Sequence, residues 1–282
     1  MIATKTRELI KSNLVLPTLP RSALRIRDRC LDPGSDATEL ADAIALDPSI
    51  AARMLKNANS ACFGQYAKIS SIHQAVVLLG HSAIYNLVLQ VELFSEFTNR
   101  AGGWIELEKV WRHSILTAQI CREIALGYTP ASTTEHVAPD DAYACGLLHD
   151  LGKIVLFAKY RDVYAELLMQ CGRSENVCNE AERRMFGFTH SEVGAMIAHD
   201  WGFPDDLAFA IEAHHAPRVS MRDRPAVIIV SLADEVSLMT EAGSRFDATT
   251  FRVTPAFGYL HLSHSTVEQL FQKAAVFMRD VG

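Results

Sequence analysis

Five histidines and two aspartates after residue 100 have the side-chain chemistry to hold a metal ion: His113, His149, Asp150, His190, His214, His215 and Asp234. The tightest grouping is Ala144-Cys-Gly-Leu-Leu-His-Asp-Leu-Gly-Lys153, an apolar run that ends in the adjacent pair His149-Asp150. Burying an ionised carboxylate is unfavourable unless a metal, a proton donor or a cation meets it. Gly152 is expected to let the backbone turn sharply away after the pair. Imidazole and carboxylate together give a mixed nitrogen–oxygen ligand set, which suits Fe, Mn, Zn, Co or Ni better than Ca or Mg alone. Asp150, adjacent in sequence to another ligand, is placed to bridge two ions. Two ions about 3.5–4 Å apart activate a water and clamp both oxygens of a phosphoryl displacement.

Each of these side chains taken singly has a plainer reading. Asp150 can accept from Lys153 or from a helix N-terminus, and His113 can be a hydrogen-bonded core histidine. His214 and His215 can complement a helix C-terminus, and Asp234 can be an ordinary buried carboxylate. The other histidines (His73, His81, His136, His199, His261 and His264) fall in loops or at isolated helix positions and supply the contrast. The seven candidates differ in lying on or at the ends of separate helices with apolar neighbours. A helix bundle can bring such positions together at its centre, where metal sites are commonly built.

The elements that must position them are all helical. Pro20 is expected to open a helix, Ser35 or Asp36 to cap the next, and Asp47-Pro48 to start another. Ser70-Ser71 caps a helix that Gly80 ends, and residues 82–97 continue as an apolar helix. Ala101-Gly-Gly103 marks a boundary between an N-terminal lobe, 1–100, and a C-terminal metal lobe, 101–282. Beyond it, helices are read over about 104–127, 140–149, 153–171 and 175–185, with a polar loop at 128–139. Thr189 caps a helix from His190, Pro204 starts one that delivers His214-His215, and 225–240 carries Asp234. An amphipathic helix from Ser265 closes the chain. No β-alternation is visible, so the fold class is all-α, a two-lobed helical bundle.

Composition narrows the function classes. A length of 282 residues supports one large core or two lobes. The formal net charge of −6 argues against a nucleic-acid-binding face, and no DNA-binding motif is visible. Arg21, Arg25, Arg27 and Arg29 cluster, but Asp28 interrupts them, as on a solvated helix face. No apolar run approaches the roughly 18 residues of a membrane span, and no secretory signal is visible. Cys30, Cys62, Cys121, Cys145, Cys171 and Cys178 are scattered without a CxxC pair, as expected for reduced core thiols of a cytoplasmic protein.

The order His…His-Asp…His…His-His…Asp resembles the HD superfamily of metal-dependent phosphohydrolases. Locally the chain is similar to the HDOD branch, the HD-related output domain of bacterial signalling proteins. Leu147-Leu-His-Asp-Leu-Gly-Lys153, Phe186-Gly-Phe-Thr-His-Ser-Glu-Val-Gly194 and Trp201-Gly-Phe-Pro204 carry the likeness in the C-terminal half. Asp47-Pro-Ser-Ile-Ala-Ala-Arg-Met-Leu55, Asn59-Ser60 and Ile72 to Gly80 carry it in the N-terminal part, so it covers about residues 14–240. The resemblance implies an all-α signalling module acting through protein partners, many members having no demonstrated hydrolase activity. It implies one or two divalent transition metals. His113, His149, Asp150 and Asp234 would serve one ion, and His190 and His214 the other, with Asp150 shared and His215 adjacent. A working phosphohydrolase on a nucleotide or phosphodiester is the alternative, with Asp150 and Lys153 catalytic and Lys153 neutralising phosphate. Two departures set the chain apart from the cyclic-di-GMP phosphodiesterases. No Gly-Tyr-Pro follows His215, and Lys109 stands where their trinuclear members place an extra Glu. No receiver or sensor domain is recognisable, so partner proteins are expected to supply the input; the oligomeric state is left open.

Overall fold

The computed structural model describes residues 4–14, 21–32, 34–46, 48–59, 69–101, 105–127, 137–172, 175–215, 224–244, 260 and 262–281. Among them every regular element is an α-helix, as the sequence predicts. The expectations for Pro20, Asp47, Cys62, Gly102-Gly103, most of the loop 128–139, His136 and His261 lie outside the described residues. Contacts divide the chain into a smaller unit, Thr18–Asn99, and a larger one formed by Met1–Pro17 with Arg100–Gly282.

The smaller unit holds α2 (Arg21–Leu31), α3 (Ala37–Ala45), α4 (Pro48–Ala58) and nearly all of α5 (Ile72–Ala101). Asp36 caps α3 by accepting from the Thr38 and Glu39 amides, and Ser71 Oγ accepts from Gln74 N at the start of α5. Asn59 bonds both backbone groups of Ile69, accepting at 2.9 Å and donating at 2.8 Å, and so closes the chain between α4 and α5. Gly80, at φ 81°, breaks α5 into two helical segments. Within α5, Ile72–Leu89 is long and apolar enough by composition to cross a membrane, although the sequence reading found no such run. The Gly80 break interrupts this stretch, and 44 % of it is buried in the fold.

In the larger unit, α6 (Ile105–Gly127) is the axis, packing against α7 (Pro139–Leu148), α8 (Leu151–Cys171), α12 (Pro225–Glu241) and α13 (His264–Val281). From His113 to Cys121 every α6 residue is buried, so the helix is enclosed on all sides. Around it, α8 packs on α9 (Glu175–Phe186) and α10 (His190–Asp200), and α11 (Asp205–Ala213) on α7, α10 and α12. Helix α1 (Thr4–Asn13) also belongs to this unit, with Leu9 against Gly187. A capping box fixes the start of α10, with Thr189 and Glu192 satisfying each other's backbone amides.

Two features of α8 differ from the sequence reading. Gly152 makes no turn: the chain breaks at Asp150 (φ −101°, ψ 13°), the N-cap of α8, and Gly152 lies inside the helix. Glycine is needed there for contact, since a Cβ would stand 1.9 Å from the His190 carbonyl oxygen. Helix α8 is also interrupted at Arg161 (φ 10°, ψ −89°), where a single helix is read from the sequence. Gly146 plays the same part between α7 and α6, where a Cβ would lie 2.7 Å from Ala118 Cα. Because backbone cannot yield as a side-chain tip can, Gly152→Ala should cost about 3 kcal/mol. Urea denaturation should show this as a lower midpoint at unchanged slope.

Candidate metal centre

Each candidate ligand enters from a helix end or from a buried helix stripe. His149 is the C-cap of α7 and His214 the C-cap of α11. The last carbonyls of a helix lack intrahelical partners, and both imidazoles use one. His149 Nδ1 donates to Gly146 O at 2.7 Å, and His214 Nδ1 to Ile211 O at 2.7 Å. A carbonyl only accepts, so these bonds leave each Nε2 as a lone pair. Burial lowers both histidines, His214 to about 3, which keeps them neutral.

The other imidazoles are held by carboxylates. His190, first residue of α10, bonds Glu182 of α9 through Nδ1 at 2.8 Å, and its amide donates to the same carboxylate at 2.7 Å. His113 bonds Glu241 through Nδ1 at 3.3 Å and Asp234 through Nε2 at 3.0 Å. Burial would lower His113, but these two partners reverse that and hold it well above the ordinary histidine value. His215 is the outlier: its Nε2 meets His190 Nε2 at 2.9 Å, and its Nδ1 lies 3.6 Å from Asp234 Oδ2.

Asp150 sits among them, 1 % exposed. Its Oδ2 accepts from Lys153 Nζ at 2.9 Å and lies 3.5 Å from His149 Nε2. Its Oδ1 lies 3.4 Å from His190 Nε2 and 3.9 Å from His214 Nε2. Burial would raise this carboxyl; His149, Lys153 and His190 overcome it and hold it well below the usual range. Asp234 is likewise held at about 2, burial being outweighed by its bond to His113. The expected Lys153 contact is therefore present, and it uses only one of the Asp150 oxygens.

The residues fit a metal. His149 Nε2, His214 Nε2 and Asp150 Oδ1 are buried without hydrogen-bond partners. Lone pairs facing one another repel, and burying them unmet costs about 1–3 kcal/mol each. Donors each about 2.1 Å from one ion lie roughly 3–3.5 Å apart, close to the separations around Asp150. Two groups can each hold an ion: Asp150, His190, His214 and His215 in one, and His113, His149 and Asp234 in the other, ligand atoms within 4.8 Å of one another. All seven side chains named from the sequence are thus brought together.

Glu182 and Glu241 were not named from the sequence. Glu182 falls in Glu180-Ala-Glu-Arg-Arg184, which reads as a solvated face; its one signal is a position four residues after Cys178 on the inner stripe of α9. It is fully buried and also accepts from Tyr164 Oη at 2.6 Å. Burial would raise its carboxyl, but His190 and Tyr164 bring it below the usual range.

Beside the centre lies a cavity of about 750 Å³. Its polar end is formed by His113, Asp150, Lys153, Lys109, Arg112 and Glu241, and its other walls are largely apolar.

The HDOD domain family model matches residues 16–217. An HDOD domain protein of unknown function from Geobacter sulfurreducens has a similar structure, at 26 % identity and TM-score 0.73, covering 96 % of this chain and 92 % of that one. A candidate signal transduction protein from Marinobacter aquaeolei shares the fold at 22 % identity and TM-score 0.72, covering 98 % of this chain and 63 % of that one. A curated protein of unknown function from Treponema pallidum is 26 % identical over 220 residues, 78 % of this chain. The chain spans 41 % of that relative's length.

Replacing Glu182 by Gln keeps the shape but puts an amide donor among the donors of His190 and Tyr164. Metal affinity should fall about 10- to 100-fold, as for other carboxylates behind a ligating histidine. Chelator competition measures the change, and Tyr164→Phe should lose far less.

Proposed function

The chain belongs to the HDOD family, and from that premise we propose that it is a signalling output module whose larger unit holds a pair of divalent transition-metal ions. His113, His149 and Asp234 would hold one ion and Asp150, His190, His214 and His215 the other, Asp150 being the residue placed to be shared. Fe, Mn, Zn, Co or Ni suits this set of imidazoles and carboxylates. The single observation carrying the reading is that His149 Nε2, His214 Nε2 and Asp150 Oδ1 are buried without hydrogen-bond partners, with both imidazoles within 4 Å of the Asp150 carboxylate, His149 at 3.5 Å from Oδ2 and His214 at 3.9 Å from Oδ1. Three acceptors facing inward are satisfied by a cation and by little else.

As an output module the chain acts through protein partners in the cytoplasm. The N-terminal lobe is the surface offered to them and residues after 100 are the metal lobe. The thiols of Cys121, Cys145, Cys171 and Cys178 are buried and in no disulfide, in keeping with a reducing compartment.

A second reading, phosphoester hydrolysis, is favoured by the cavity that reaches Asp150 and Lys153. A bound metal pair would lower the pKa of a water and stabilise charge on a phosphoryl group. The chain's own share is to hold the ligands, to exclude bulk water from their buried side, and to present the Lys153 ammonium to a phosphate oxygen.

Elemental analysis of the purified protein should find one to two equivalents of transition metal, and Asp150→Ala should remove it. Equal content in the two proteins would overturn the metal reading. In a panel of phosphodiesters and nucleotides, turnover present in the wild type and lost in Asp150→Ala would establish the enzyme. Cyclic-di-GMP should remain intact, given the sequence after His215.

A further inference from the structure

Resting on the reading of the centre as one that receives a phosphoryl group, we infer that the cavity beside it takes an apolar organic part. The ligand class is then a phosphate monoester of an apolar alcohol rather than of a sugar. Among the described residues, apolar side chains from four helices line one space: Val110 and Leu116 of α6, Leu168 and Met169 of α8, Leu238 of α12 and Met278 of α13. None of these side chains carries a strong hydrogen-bonding group. His113, Asp150, Lys153 and Glu241 line the same cavity. Lys153 Nζ donates to Asp150 at 2.9 Å, and His113 Nδ1 lies 3.3 Å from Glu241. One space thus joins the ionic groups of the centre to an apolar surface, the two halves that an amphiphilic ester presents. Lys109 and Arg112 also belong to the polar end, and the class of the organic part does not depend on them.

The apolar lining is unevenly covered. Leu116 is 2 % exposed, whereas Met169 is 64 % and Met278 39 % exposed. These are large apolar side chains left to water on two helices, and both line this cavity. An apolar group that covers them removes that surface from water and is held by the gain. Methionine suits the task, because an unbranched, polarisable side chain repacks around irregular shapes. The hydroxyls of a sugar desolvated against such side chains go unmet and weaken binding, while a hydrocarbon chain gives up only water. The volume of about 750 Å³ lies within the range that encloses small organic ligands.

The test titrates the full chain, its metal content measured first, with methyl, propyl and hexyl phosphate, 1-hexanol and ribose 5-phosphate. The proteins are the wild type, Asp150→Ala and Met169→Gln/Met278→Gln. Each methylene fully buried strengthens binding about fourfold, so in a cavity open to water hexyl phosphate should bind about tenfold or more tighter than methyl phosphate. Ribose 5-phosphate should bind like methyl phosphate, and 1-hexanol should be weaker than hexyl phosphate. In the methionine variant, substituted at two exposed positions, the gain with chain length should fall to about threefold or less while metal content and melting temperature hold. Hexyl phosphate no tighter than methyl phosphate, or ribose 5-phosphate as tight as hexyl phosphate, overturns the apolar ester and leaves the phosphoryl reading standing. A gain undiminished by the methionine substitutions overturns the assignment to this cavity. 1-Hexanol as tight as hexyl phosphate, in the wild type and in Asp150→Ala alike, overturns the phosphoryl reading and with it the ester, leaving an apolar pocket only.

Discussion

The arrangement depends on how the Nδ1 atoms of four histidines are held. A free imidazole ring turns about χ2 and exchanges tautomers, and either motion would scatter the ligand atoms. Gly146 O and Ile211 O fix His149 and His214, and Glu182 and Glu241 fix His190 and His113. Each bond settles which edge of a ring faces Asp150 and Asp234. The two kinds of partner have different electrostatic consequences. Carbonyl-held histidines stay neutral in their buried setting, while carboxylate-held ones are raised, His113 strongly. Were the centre to take a metal, the first pair would offer lone pairs as they stand and the second would have protons to give up.

Helix packing brings these rings together, and glycine sets its closeness. Gly146 lets α7 rest on the α6 backbone one turn before His149, and Gly152 lets α8 rest on the His190 carbonyl two residues after Asp150. At both places the candidate ligand, His149 or Asp150, is anchored within a few residues of a backbone-to-backbone contact. Such a contact has fewer ways to relax than one made through side chains. The candidate ligand side chains therefore inherit their placement from the packing of helices rather than from loops.

Much of this was legible in the sequence. Asp36, Ser71 and Thr189 cap helices as their types suggest, Gly80 breaks one, and all seven ligand-type residues converge. What escaped the reading depends on tertiary contact. Glu182 looks solvated because its neighbours Glu180, Arg183 and Arg184 are exposed, and only the packing of α9 turns it inward. Gly152 has two uses that a sequence cannot separate, a turn or a close approach, and the second applies. The grouping of Lys109 and Arg112 with Lys153 joins residues more than 40 positions apart and follows no local pattern.

The interruption at Arg161 bears on how such a protein could diversify. In an unbroken helix Lys153 and Met169 would be about 24 Å apart, yet both face one cavity. The interruption gives α8 two separate placements: its start brings Asp150 and Lys153 to the polar end of the cavity, and its second half brings Leu168 and Met169 to the apolar walls. Drift in the second half can reshape what the cavity admits while the first half stays clamped against α10. The polar and apolar linings of the cavity can then vary independently along a single helix.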